Sequence, residues 1–136
     1  MRDKKTDQLR LQVENYVECW KQFNSFIAMA RAKKFTMEDE NQFLEIKSIL
    51  VQQLEIIISR IESGTPSREE IHSLVALVPS IRYLSEAPEG TFRNVEKQWH
   101  KLFLSWQDVL GLLKVRQQEA SNKSFFSSLF GKKKPR

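Results

Sequence analysis

The stretch Leu9–Ala30, LRLQVENYVECWKQFNSFIAMA, decides the fold of this 136-residue chain. Its apolar residues follow one another at alternating gaps of four and three residues. This is heptad spacing over three repeats, the seam of a helix that packs lengthwise against other helices. The seam consists of Leu9, Val13, Tyr16, Trp20, Phe23, Ile27 and Ala30.

A second segment carries a seam of the same kind. It begins at Thr36, which can cap a helix together with Asp39, and its seam runs from Phe43 to Ile61. The wide apolar face of this segment predicts that it is the most buried helix. Gly64 is placed to end it in the left-handed conformation.

Two more segments complete the pattern. The third begins at Ser67, with Glu70 in the capping-box position. Pro79 has no amide hydrogen and clashes with the carbonyl four residues back, so we expect a kink or a break there. The fourth segment follows Gly90, with Thr91 as its cap, and its apolar residues repeat the three-four spacing as regularly as those of the first.

These segments predict an all-α fold, an antiparallel up-down-up-down four-helix bundle with its third helix kinked or broken near Pro79. A C-terminal tail with a short amphipathic helix follows the bundle. The first and last helices have the most regular seams and should be neighbours if the bundle closes. The same seams could instead join two chains, so a homo-oligomer is an alternative.

The positive charge of the chain is concentrated at one end. Of 22 Lys and Arg residues, five lie in residues 120–136, where there is no Asp or Glu; the other 17 match the 17 acidic residues. The net charge of +5 therefore belongs to this end, and the remainder is formally neutral. We accordingly divide the chain into a bundle domain, residues 1–119, and a basic amphipathic C-terminal tail, residues 120–136.

The tail combines an apolar face with a run of cations. On a helix, the apolar residues of SFFSSLF fall within an arc of about 140°, and the serines take the other side. Two turns of helix are marginal alone in water, so the segment needs a surface to lie on. The predicted docking residues are Phe125, Phe126, Leu129, Phe130, Lys132, Lys133, Lys134 and Arg136.

Three surfaces suit this tail. We place a groove on a protein partner first, which makes the chain an interaction or adaptor module. An anionic membrane surface comes second, because apolar burial and cation attraction together give weak, reversible anchoring. In the third alternative the tail covers its own bundle. Nucleic acid ranks lower, because four tail cations neutralise about four phosphates and the neutral body offers no basic stripe to extend the contact.

The sequence predicts no catalytic, metal-binding or cofactor-binding residue and no small-molecule substrate. Glu69 and His72 have the E-x-x-H spacing of a di-metal bundle, but the nearest candidate for a second pair, Glu96 with His100, is spaced by four residues. A histidine phosphotransfer role for His72 ranks last, because Val75 and Ala76 occupy the places of the Lys and Gly typical of those domains. Cys19 lies at the edge of the first seam and is interpreted as a packing residue.

Composition points to a cytoplasmic protein, with peripheral attachment to the membrane as an option. A single cysteine permits no internal disulfide, which favours a reducing compartment. The polar start, MRDKKTDQLR, has no apolar core of a secretory signal. No run of residues is apolar for long enough to span a bilayer.

Overall fold

The structure is a computed structural model that describes residues 4–61 and 66–131, with the backbone alone for residues 124, 130 and 131. Within these ranges the chain is helical and contains no strand, so the predicted all-α class is confirmed. Five helices occur there: α1 (Lys4–Ala32), α2 (Met37–Ile58), α3 (Arg68–Leu77), α4 (Ile81–Ser85) and α5 (Glu89–Gly131).

Helix α1 is the centre of the packing. It lies against α2, α4 and α5, while α3 lies between α2 and α5. The pairing of α1 with α5 is antiparallel: the indole Nε1 of Trp99 donates to the Trp20 carbonyl at 2.8 Å, and Arg31 at the end of α1 bonds Glu89 at the start of α5. The two helices with the most regular seams are therefore neighbours, as their sequences predict.

The core is built from the predicted seams. Every seam residue of α1 is buried, and Tyr16 donates its hydroxyl to the Leu50 carbonyl of α2 at 2.7 Å. The prediction that α2 is the most buried helix is wrong: nine residues of α1 are buried and five of α2. Leu44, on the flank of the α2 seam, is 53% exposed. A central helix needs apolar residues on several sides, and α1 packs extensively against α2, α4 and α5, whereas α2 has an extensive contact with α1 alone.

The chain leaves helical geometry between α3 and α4, around Pro79. Lys47 of α2 donates from Nζ to the carbonyls of Val78 and Pro79, at 2.9 and 3.2 Å. The Glu40 carboxylate, also on α2, accepts from the first two amides of α4 at 2.8 and 3.0 Å. Burial lowers the pKa of Lys47, and the nearby Glu40 opposes this. Two charged side chains of α2 thus bond the backbone groups that the interruption releases.

Two helix starts carry the predicted caps. Thr36 and Asp39 bond each other's backbone amides reciprocally, at 2.8 and 3.1 Å, which is the expected capping box at the start of α2. At the start of α3, Ser67 accepts from the Glu70 amide at 3.2 Å, but the Glu70 carboxylate accepts from the Ser67 hydroxyl and not from its amide, so only half of the expected capping box forms. These contacts are local in sequence, which is why the sequence alone could predict them.

The start of α5 differs from the prediction. The helix begins at Glu89, two residues before the expected cap Thr91. The amides of Thr91 and Phe92 bond the Pro88 carbonyl at 3.0 and 3.2 Å, so the first turn forms directly after the proline. The predicted helix stop at Gly64 lies outside the described residues.

Candidate docking surface

The body half of α5, which we define as residues 89–113, packs against the rest of the protein. Its predicted seam residues are buried apart from Trp99, which is half-buried and stacks on Phe103 with ring centroids 4.8 Å apart. Trp106 is fully buried and meets Tyr16 of α1 edge to face at 4.9 Å. Beyond Leu113, no described side chain of α5 is buried.

The last part of α5 continues past the start of α1. Gln117 donates to Asp7 at 2.6 Å and accepts from Arg10 at 2.9 Å. Because the two helices are antiparallel, Lys4, three residues before Asp7, lies at about the level of Ala120. Residues 121–131, which we call the projecting end, therefore extend roughly 16 Å further along the axis of α5. The predicted short tail helix is not a separate element but the final turns of α5.

The projecting end carries exposed apolar side chains. Phe125 is 62% exposed, Phe126 53% and Leu129 46%, and the two phenylalanine rings meet edge to face at 5.6 Å. These three are predicted docking residues. Of the others, Phe130 lies in α5 with its backbone alone described, and Lys132, Lys133, Lys134 and Arg136 lie outside the described residues.

The apolar side of α5 changes between its body half and its projecting end. At about 100° per residue, the buried residues up to Leu113 and the half-buried Gln117 and Ala120 share one side of the helix. Continuing that side leads to Ser124, Ser127 and Ser128. Leu129 and Phe126 fall roughly 150° away from that side, and Phe125 falls about 105° away, on its flank. The apolar side of the projecting end therefore faces away from the bundle rather than prolonging its core.

Exposed apolar residues of α5 before the projecting end share the outward side. Leu104 is 51% exposed, Leu112 55% and Val115 52%. Leu104, Val115 and Phe126 are spaced eleven residues apart, about three turns of helix, so they stand in one row along α5. We call this row and its neighbours the outer stripe, which consists of Leu104, Leu112, Val115, Phe125, Phe126 and Leu129.

Sequence reasoning missed the body part of the outer stripe. Leu112 and Val115 flank the seam residue Leu113 and look like ordinary boundary residues when only the seam is followed. Counting back from Phe126 in steps of eleven residues, which keeps the helical phase, would have found Val115 and then Leu104. Nothing else in their local sequence distinguishes them from scattered surface leucines and valines.

Cations accompany the outer stripe. Lys97 and Lys101 lie on its side of the body half, and Lys123 lies beside it at the projecting end; all three are exposed. Lys101 also pairs with Glu70 of α3 at 3.8 Å. Two carboxylates, Asp108 and Glu119, lie on the same side. The outward side of α5 thus combines spaced apolar residues with charges of both signs, and the cations are in excess.

The residues considered for catalysis or metal binding are dispersed. Glu69, His72 and His100 are exposed, and Glu96 is paired with Arg31 of α1 at 2.8 Å. Within residues 4–61 and 66–131, no group of three or more His, Cys, Asp or Glu side chains is arranged to hold a metal ion.

The cysteine lies at the edge of the core. Cys19 is half-buried and packs against the core cluster. Burial raises the pKa of its thiol, and the charge of Glu18 raises it further. The reactive thiolate is therefore disfavoured at neutral pH.

Comparison with known proteins finds no match: no protein-family model, no curated protein and no solved structure is significantly similar to this chain. In the part of the chain that the structure describes, no helix has a stretch long and apolar enough to cross a membrane.

Proposed function

We propose that this chain is a non-catalytic helical interaction module that docks through the projecting end of α5. The observation that carries the proposal is the orientation of the apolar side chains at this end. Leu129 and Phe126, exposed by 46% and 53%, lie on the side of α5 that faces away from the bundle, and Phe125, 62% exposed, lies on the flank of that side. Exposed aromatic and aliphatic residues in one continuous patch are typical of surfaces that a partner covers.

Continuity with α5 makes the projecting end suitable for docking. An isolated two-turn helix must be nucleated when it binds, which is costly. Here the preceding turns of α5 already supply the nucleus, so ordering the end requires only propagation of an existing helix. A surface that binds Phe125 and Leu129 therefore meets a partly organised partner, and less of the binding free energy is lost to ordering.

The proposed body is the four-helix up-down-up-down bundle, with α3 and α4 together forming its third member. The cyclic order α1, α2, α3, α5 in the helix contacts supports this arrangement. Residues 1–119 form the scaffold in this proposal, and residues 120–136 form the docking segment. The proposed location is the cytoplasm, with the basic segment available to a partner or to a membrane surface.

The absence of a catalytic role is also a proposal, and it is supported by the environment of the candidate groups. His72 lies on α3 and His100 on α5, both exposed, and the pKa of the Cys19 thiol is raised. Among the described residues, none of these three groups is hydrogen-bonded to an acid–base partner of the kind that activates a nucleophile.

Fractionation of cell lysate tests the proposed function and does not require the partner to be identified. Tagged wild-type chain and the double variant Phe125→Ser/Leu129→Ser are expressed at equal levels, and each lysate is separated by size and by density. We expect the wild type in complexes or membrane fractions and the variant in the free fraction. Leu44→Ser, which replaces an equally exposed leucine on α2, is the matched control and should behave as wild type. Identical distributions of wild type and double variant would refute docking through this end.

A further inference from the structure

We propose that the docking partner is an anionic lipid surface, and that α5 lies along it with the whole outer stripe, from Leu104 to Leu129. The inference rests on the proposed function and names the class of its partner. It extends the contact from the projecting end to the body half of α5, over about 38 Å of helix.

The geometry of α5 suits a flat surface. Leu104, Val115 and Phe126 stand in one row, on the side opposite the buried residues that hold α5 to α1 and α3. A plane that touches Phe126 and Leu129 along the helix axis therefore also approaches Leu112 and Val115, and the bundle stays above it. If the apolar residues of the projecting end lay on the same side of α5 as the buried residues, the bundle would prevent a flat surface from contacting them along the helix.

The spacing of apolar residues favours lipid over a helical partner. A helix packed along the outer side of α5 would need apolar residues every three or four positions. That seam would instead bury Asp108, Gln118 and Asn122, which lie between Leu104 and Phe125 on the same side. At a membrane interface, such polar side chains remain among hydrated headgroups while the apolar side chains between them enter the acyl boundary.

Charge complementarity points to the same partner. Residues 120–136 carry five cations and no acid. Earlier on the outer side of α5, Lys97 and Lys101 are balanced by Asp108 and Glu119, so the excess positive charge lies in residues 120–136. Each cation near an anionic leaflet favours binding.

Vesicle binding by the full chain tests the inference. Partitioning is measured by flotation with phosphatidylcholine vesicles, with and without phosphatidylserine, at two NaCl concentrations. We expect wild type to bind the phosphatidylserine vesicles, more weakly at high salt, and to leave the neutral vesicles largely unbound.

Two double variants separate the parts of the outer stripe. Phe125→Ser/Leu129→Ser should lower the partition coefficient about 100-fold, and Leu112→Ser/Val115→Ser about tenfold, because the latter pair enters the interface less deeply. Leu44→Ser on α2, 53% exposed against 55% for Leu112, should leave partitioning unchanged. All four residues of the double variants are exposed, so their thermal midpoints should match wild type, and this is checked for each variant.

The outcomes distinguish the inference from the proposed function. Failure of wild type to bind phosphatidylserine vesicles overturns the lipid inference; if the lysate fractionation still depends on Phe125 and Leu129, the proposed function stands with a protein partner. If Leu112→Ser/Val115→Ser binds vesicles as well as wild type while Phe125→Ser/Leu129→Ser loses binding, the contact does not extend beyond the projecting end. Unchanged binding by Phe125→Ser/Leu129→Ser overturns the inference, and the lysate experiment then decides the proposed function separately.

Discussion

The two halves of α5 use the same kinds of side chain in opposite ways. In the body half, Trp106 and Leu113 face α1 and lie in the core. At the projecting end, Leu129 and Phe126 face away from the core, Phe125 lies on the flank, and all three are exposed. The helix is continuous between them, so the change is one of helical phase and not of secondary structure. Apolar residues on a helix therefore indicate a core only when their phase matches that of the packed side.

The largest expected contrast is between truncation of Trp106 and truncation of Phe125. Trp106→Ala removes a fully buried indole that contacts Tyr16, and should lower the free energy of unfolding by about 3–5 kcal/mol. Phe125→Ala removes an exposed ring and should change it by less than about 0.5 kcal/mol. Urea unfolding followed by circular dichroism measures both. A large loss for Phe125→Ala would mean that the projecting end is part of the core after all.

The next effect in size concerns the contacts at the interruption between α3 and α4. These contacts stabilise the bundle and do not involve the projecting end. Glu40→Ala removes the carboxylate that accepts from two amides of α4, and should cost about 1–2 kcal/mol of unfolding free energy. Lipid partitioning should not change, because Glu40 is on α2 and remote from the outer stripe. Glu38→Ala, in the same first turn of α2, is the control and should cost less. Equal losses for the two variants would contradict the capping role of Glu40.

The smallest effect is expected from the ion pairs at the start of α5. Arg31 hydrogen-bonds Glu89 and holds the pKa of that carboxyl below its ordinary value of 4.5. The unfolded chain therefore binds the proton more readily, so this contribution to stability is complete above about pH 4.5 and is lost as the pH falls through the lowered value. All these groups are exposed, so the effect is small.

The variant Glu89→Gln isolates this contribution, because it leaves the pairing of Arg31 with Glu96 in place. Its thermal midpoint should lie slightly below that of wild type at pH 7, and the gap should narrow as the pH falls below the ordinary pKa of Glu89. Thermal unfolding between about pH 7 and about pH 2.5 measures the gap. A gap that stays constant over this range would contradict the assignment to Glu89.

The parts of the fold that sequence could predict are those with local causes. Heptad spacing identified the buried residues of α1, and the reciprocal bonds of Thr36 and Asp39 identified the start of α2. The bonds of Lys47 and Glu40 to the α3–α4 interruption join residues more than thirty positions apart, and no local pattern indicates them. Long-range pairs of this kind depend on how the helices are placed.

The docking residues of the candidate site could be predicted from the sequence, but their position on a continuation of α5 could not. The spacing of Phe125 and Leu129 predicts that they share an apolar helix face. The change in charge after residue 119 predicts a boundary between the bundle domain and a separate tail. In the structure α5 continues through this region. The relation between the tail and Leu104 or Val115 becomes visible only when both are counted on one uninterrupted helix.

Amide hydrogen exchange along α5 tests the central claim most directly, because it reports both halves of the helix in one measurement. In the free protein, amides of residues 95–113 should exchange slowly, and those of residues 121–131 should exchange quickly, since only the former are held by tertiary packing. Phosphatidylserine vesicles should slow exchange in residues 121–131 and leave residues 95–113 unchanged. If residues 121–131 exchanged as slowly as residues 95–113 in the free protein, the projecting end would be packed on the core. That result would contradict the claim that this end of α5 is available for docking.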